Sequence, residues 1–176
     1  MDRHAKLVRM LRESGAVRFG TFTLASGRTS DVYVDIKRMW TDPARLEVLG
    51  AELADRVGDA ERLGGMELGA VPLLAAASLG SRRPFVVVRK APKGHGTNQR
   101  IEGEVPDGAR VVVIEDVTTT GGSVLETVQI LRSAGAIVDR VLVVVDRGEG
   151  ARERLAEASV RLEPLATLAE LRGPDA

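Results

Sequence analysis

Cysteine is missing from all 176 residues, and with it go disulfides, zinc-thiolate sites and thiol nucleophiles. A net charge of one sign is missing too. Lys plus Arg and Asp plus Glu stand at 25 each, so nothing global draws the chain to nucleic acid or an anionic membrane, and any anion site must be built locally. Long apolar runs are also lacking: "AVPLLAAASLG" and "VLVVV" are too short to span a bilayer. The start, "MDRHAKLVRML", threads charge where a leader would carry an apolar core. These absences predict a soluble, unprocessed, cytoplasmic protein with no nucleic-acid and no membrane partner.

What is present has the size of one domain and the rhythm of an α/β fold. The runs at 85–88, 111–114 and 141–145 are apolar at every position, as strands covered on both faces of a parallel sheet require. Helical patterns fall between them, over 3–13, 43–57, 71–79, 122–134 and 151–157, with Asp42 placed to cap the second. Residues 17–38 alternate differently, with "ASGRTS" breaking two strand-like segments, and predict a β-rich hood spanning about 1–38 and set on the sheet. Residues 89–104, containing "KAPKGHGTNQRIEGE", are too long, polar and glycine-rich for a plain connection, which predicts a mobile loop.

The chemistry concentrates at "VVVIEDVTTTGGS". A buried strand runs into Glu115 and Asp116, then into a hydroxyl- and glycine-rich turn that opens a helix. Such a turn offers unpaired backbone N–H groups and a favourable dipole end, hence an anion cradle. No Lys follows Gly122, where Ser123 and Val124 stand instead, so a Walker-type triphosphate loop is disfavoured. A phosphate monoester fits, and the two acids beside it need a partner with donors, either a sugar diol or a hydrated divalent cation. A phosphorylated ribose satisfies both ends. Arg89, Lys90, Lys93, His95 and Arg100 crowd cationic or ionisable donors into the glycine-containing loop, which suits a lid closing on a polyanion. A second, weaker anion loop is expected at 64–73, "GGMELGAVPL".

These stretches carry a resemblance. "VVVIEDVTTTGGS" resembles the PRPP-binding signature of the type I phosphoribosyltransferases, while "RKAPKGHGTNQRIEGE" and "FTLASGRTSDVYVD" resemble the catalytic loop and hood of the orotate-using members. The resemblance implies a single domain over 1–176 that transfers phosphoribose from PRPP to orotate with Mg²⁺, as a homodimer whose loop is shared between subunits. It implies PRPP contacts from Arg89, Lys90, Lys93, His95, Glu115, Asp116, Val117, Thr118, Thr119, Thr120, Gly121, Gly122 and Ser123. Lys93, His95 and Asp116 take catalytic roles, Thr119 and Arg147 contact orotate, and Mg²⁺ is carried by PRPP with Glu115 and Asp116 as the candidate protein groups. Read from the residues alone, Arg147 is either that carboxylate anchor or a strand-end arginine paired with Asp146 or Glu149. Many orotate-using members have Lys where this chain has Ala25, which leaves either Ser26 and Arg28 to compensate or a looser base specificity. Two other functions share parts of the pattern. A purine or xanthine salvage enzyme would want an aromatic stacker, against 3% aromatics, and a PRPP-sensing regulator would need a DNA-binding module beyond the one N-terminal helix.

Overall fold

The computed structural model describes residues 2–23, 27, 29–91 and 100–173. Lys93 and His95 in the loop, and Ala25, Ser26 and Arg28 in the hood, lie outside the described residues.

Helix α1 (Arg3–Glu13) starts at Asp2, whose carboxylate accepts from the His4 N–H, and its Leu7 and Leu11 share one buried face. Strands β1 (Val17–Thr23) and β2 (Thr29–Val34) then pair antiparallel in a sheet of their own, the expected hood. A single turn, α2 (Lys37–Trp40), leads to α3 (Pro43–Ala54), where the Asp42 carboxylate accepts from Arg45 N at 3.1 Å and Pro43 occupies the first turn. This helix stops short of the expected 57, because Val57 turns into the core and Gly58, at φ 64°, redirects the chain.

The main sheet follows: β3 (Arg62–Met66), α4 (Ala70–Ser81), β4 (Phe85–Val88), β5 (Ile101–Glu102), β6 (Arg110–Thr118), α5 (Gly122–Ser133), β7 (Ile137–Asp146), α6 (Ala151–Glu157), β8 (Arg161–Thr167) and α7 (Leu168–Arg172). Its order is β5-β4-β3-β6-β7-β8, parallel except for β5. Alternation along β6 sends Val112 and Ile114 into the core beneath α1, α3 and α4, and Val111 and Val113 into the core beneath α5 and α6. Strand β6 runs four residues beyond the expected 114, so Glu115 and Asp116 belong to the strand itself, Glu115 standing opposite Val143. Strand β8 was not expected, because Pro164 interrupts its pattern; it lies at a sheet edge, where proline is tolerated. Among the described residues no helix is long and apolar enough to cross a membrane.

Candidate active site

The parallel strands, taken in chain order, lie in space as second-first-third-fourth-fifth. The chain therefore winds one way from β3 and the other way from β6, and the crevice between their carboxyl ends is where ligands of such sheets bind. The loop leaving β3, 67–69, meets the end of β6 there.

A pocket of about 250 Å³ occupies this crevice, lined by Lys37, Met66, Glu67, Leu68, Gly69, Lys90, Glu115, Asp116, Val117 and Ser123. Glu115 is 7% exposed. Burial, reinforced by the neighbouring Asp116 charge, pushes its carboxyl up to about 8, so the unliganded site keeps a proton on Glu115 at neutral pH. Asp116 is half-buried, its Oδ1 accepting from Val117 N at 2.8 Å. The 67–69 loop lies hard against it. A Cβ on Gly69 would stand 2.5 Å from Asp116 Oδ2, so only glycine allows this approach. The Glu67–Leu68 peptide in this loop is cis. Glu67 Oε1 accepts from Lys90 N at 2.9 Å, tying the loop to the end of β4.

Thr119, Thr120, Gly122 and Ser123 are exposed on the turn between β6 and α5. Gly121 caps α5 at φ 76° without any side-chain cap bond, which leaves the first N–H groups of a 12-residue helix open to an anion. Thr118 points the other way. It is 1% exposed and donates its hydroxyl to Asp146 Oδ1 at 3.0 Å, so its side chain braces the turn from below. The same Asp146 oxygen accepts from Gly148 N at 3.0 Å, and Arg147 N donates to Thr118 O at 3.0 Å, locking the β6 and β7 ends side by side.

Arg147 therefore leaves the sheet next to the turn. Its Nη2 meets Glu149 Oε1 at 2.6 Å and donates to Ser30 Oγ of the hood at 3.4 Å. Strand β2 is held over this corner by the next residue, Asp31, whose Oδ2 lies 2.5 Å from Arg172 Nη2; that contact holds the Asp31 carboxyl below its usual range. Arg172 also stacks over the Phe19 ring at 5.2 Å.

At the foot of the long loop, Arg89 N donates to Arg100 O at 2.7 Å, and β5 pairs with β4. Of the loop cations, Arg89 faces Glu102 at 3.3 Å, while Arg100 bonds the carbonyls of Arg89 and Lys90 and pairs with Glu126 at 2.8 Å. Arg100 thus clamps the base of the loop, whereas the Lys90 side chain lines the pocket. Met66 and Glu67 fall within the expected 64–73 loop, whereas sequence reasoning missed Lys37 as a pocket residue and Ser30 as a neighbour of Arg147. The lone signal for Lys37 was its place at the end of the expected hood.

Residues 65–166 match the phosphoribosyl transferase domain family. An orotate phosphoribosyltransferase from Methanocaldococcus jannaschii is 49% identical over 97% of this chain and 98% of its own length. The chain belongs to the orotate phosphoribosyltransferase family. Among solved structures, orotate phosphoribosyltransferase from Aeropyrum pernix is 41% identical, with TM-score 0.83 over 94% of this chain and 95% of its own. The Mycobacterium tuberculosis H37Rv enzyme, solved in complex with PRPP, is 33% identical, with TM-score 0.81 over 98% and 100%. In this orotate phosphoribosyltransferase-family chain, the domain match runs from β3 into β8 and includes both loops at the crevice, the foot of the long loop and Arg147. The hood falls outside that match but inside the near-full-length similarities.

Among the described residues no three His, Cys, Asp or Glu converge as a metal cage. Two adjacent carboxylates on one strand suit a cation whose other ligands come from substrate oxygens and water.

Proposed function

We propose that this chain transfers the 5-phosphoribosyl group of PRPP to orotate, giving orotidine 5′-monophosphate and pyrophosphate in pyrimidine biosynthesis. The observation that carries the reading is the adjacency, at the carboxyl ends of β6 and β7, of an uncapped helix start, two carboxylates and a largely buried guanidinium. Those features answer a monoester phosphate, a ribose diol and a carboxylated base in turn.

The exposed turn at 119–123 receives the 5-phosphate through the first N–H groups of α5 and the hydroxyls of Thr119, Thr120 and Ser123. Asp116 and Glu115 accept from the 2- and 3-hydroxyls of the ribose, and the 67–69 loop presents backbone amides to the diphosphate. Bound Mg²⁺ would neutralise diphosphate charge, with Glu115 and Asp116 as its nearest protein groups. As the bond from ribose C1 to the diphosphate oxygen breaks, positive charge grows on the ring and negative charge on the leaving group. Lys90 in the pocket and Lys93 and His95 in the loop stabilise that leaving charge, with Lys93 the principal contact. The orotate ring nitrogen then bonds to C1 and gives up its proton to the departing diphosphate or to solvent, while Arg147 and Thr119 hold the base. The loop closes over the site of the partner subunit in a homodimer, and the cysteine-free chain suits a cytoplasmic setting.

The test is incubation with PRPP and Mg²⁺ against orotate, uracil, adenine, hypoxanthine and xanthine in separate reactions, following loss of base. Orotate alone should be consumed at a substantial rate. Faster turnover of any purine would overturn the assignment.

A further inference from the structure

Arg147 is an anchor already in use. Its Nη2 lies 2.6 Å from Glu149 Oε1, two residues along the same turn, while its Nε is buried and has no hydrogen-bond partner among the described residues. One edge of the guanidinium is therefore only half engaged. A buried donor left unpaired is unfavourable, and a planar carboxylate can engage Nε and Nη2 together in the two-point fork that guanidinium favours. Glu149 makes only the Nη2 contact of that fork. It is also the more exposed partner, its side chain 44% exposed against 14% for Arg147. It stands between Gly148 and Gly150, at φ 72° and 98°, with no atom within 4 Å of where either Cβ would lie. The turn has open space to swing Glu149 away.

From this geometry we infer that Glu149 is an internal stand-in for the substrate carboxylate, which must be displaced from Arg147 before a carboxylated pyrimidine can bind and which returns to release the product. The inference rests on the reading of Arg147 as the orotate anchor. A base with a carboxylate exchanges a one-point contact for a two-point one, whereas a base without it has nothing with which to displace Glu149.

Glu149→Gln keeps the shape and removes the competing charge. Titration calorimetry of the full chain should show orotidine 5′-monophosphate bound more tightly by about three- to fivefold, the range of an ion pair with one well-exposed partner. Uridine 5′-monophosphate, identical but for the carboxylate, should bind as before. In an Arg147→Gln background, checked for an unchanged melting temperature, the same Glu149 substitution should have no effect. Weaker or unchanged orotidine 5′-monophosphate binding in Glu149→Gln overturns the inference while leaving Arg147 as the anchor if Arg147→Gln alone still weakens it. Should Arg147→Gln bind orotidine 5′-monophosphate like wild type, the anchor reading falls and the inference with it. Equal tightening of both nucleotides also overturns it, because the effect would not then be owed to the carboxylate.

Discussion

Replacing Glu115 with Gln should make the unliganded protein more stable at neutral and alkaline pH, although it removes a group from the centre of the site. The folded state holds the Glu115 carboxyl at about 8 against an ordinary value of 4.5, chiefly because burial penalises the charged form and secondarily because Asp116 lies alongside. Below about pH 4.5 the group is protonated folded or unfolded, and its contribution to stability is fully present. As pH rises from there the unfolded chain releases the proton while the folded chain keeps it, so stability falls by up to 1.36 kcal/mol per pH unit, and the loss is complete once pH has passed about 8. The full penalty has an upper limit of roughly 5 kcal/mol. Half of that limit would shift the melting temperature of a chain this size by about 5–10 °C. Gln carries no such charge. Thermal melts of wild type and Glu115→Gln from pH 4.5 to 9, without PRPP or divalent cation, should therefore converge at the acid end and separate progressively from about pH 5 upward, with the variant higher. Parallel curves, or a variant that is less stable at pH 8, would refute the claim that a buried proton resides on Glu115. PRPP binding should weaken in the same variant, separating what the site does for the substrate from what it does for the fold.

Gly69→Ala places a methyl 2.5 Å from Asp116 Oδ2, so it should cost about 1–3 kcal/mol as an overpacked contact and weaken PRPP binding about tenfold, measured by titration calorimetry. Asp116→Asn should weaken PRPP binding about tenfold with the melting temperature preserved; a collapse in melting temperature would make the acid structural. Lys93→Ala should lower turnover by about a hundredfold or more while changing PRPP affinity little, since its charge matters most once pyrophosphate is leaving, and an unchanged turnover number would reduce the loop to a cover. Mixing inactive Lys93→Ala with inactive Asp116→Ala under subunit exchange should restore roughly a quarter of wild-type activity, because half of the dimers are mixed and each of those has one intact site of two. No recovery despite demonstrated exchange would place the loop in cis or remove the dimer.

How much of this was legible in sequence depended on whether a residue's role is local. The start of α1, the Asp42 cap of α3 and the fully apolar strands are read from neighbours within a few positions, and the structure has them there, with β6 and β7 extending beyond their apolar runs. The turn at 119–123 is local in the same sense, since its hydroxyls and glycines open the helix they precede. Strand β8 failed this test because a proline is fatal or harmless according to whether the strand lies at an edge, and edge position is a property of the whole sheet. Gly69 failed it too: its necessity comes from Asp116, a residue from another strand brought to within one atom of it. Thr118 and Thr119 are chemically identical neighbours, yet the first closes β6 with its hydroxyl on buried Asp146 and the second opens the exposed turn.

Arg147 marks the boundary most clearly. Sequence allowed two roles, a substrate anchor or a strand-end arginine paired with Asp146 or Glu149, as if one had to exclude the other. Asp146 is taken by Thr118 and by Gly148 N, which leaves Glu149 as the carboxylate facing the guanidinium. That pairing engages Nη2 and leaves Nε unpaired among the described residues, so it does not exhaust the group. An arginine that must bind a carboxylate for part of each cycle and lie nearly buried for the rest does better with a weak internal partner than with none, since an unpaired buried charge is costly. On the proposed reading, the two roles of Arg147 are two states of one group, with Glu149 in the first and substrate in the second.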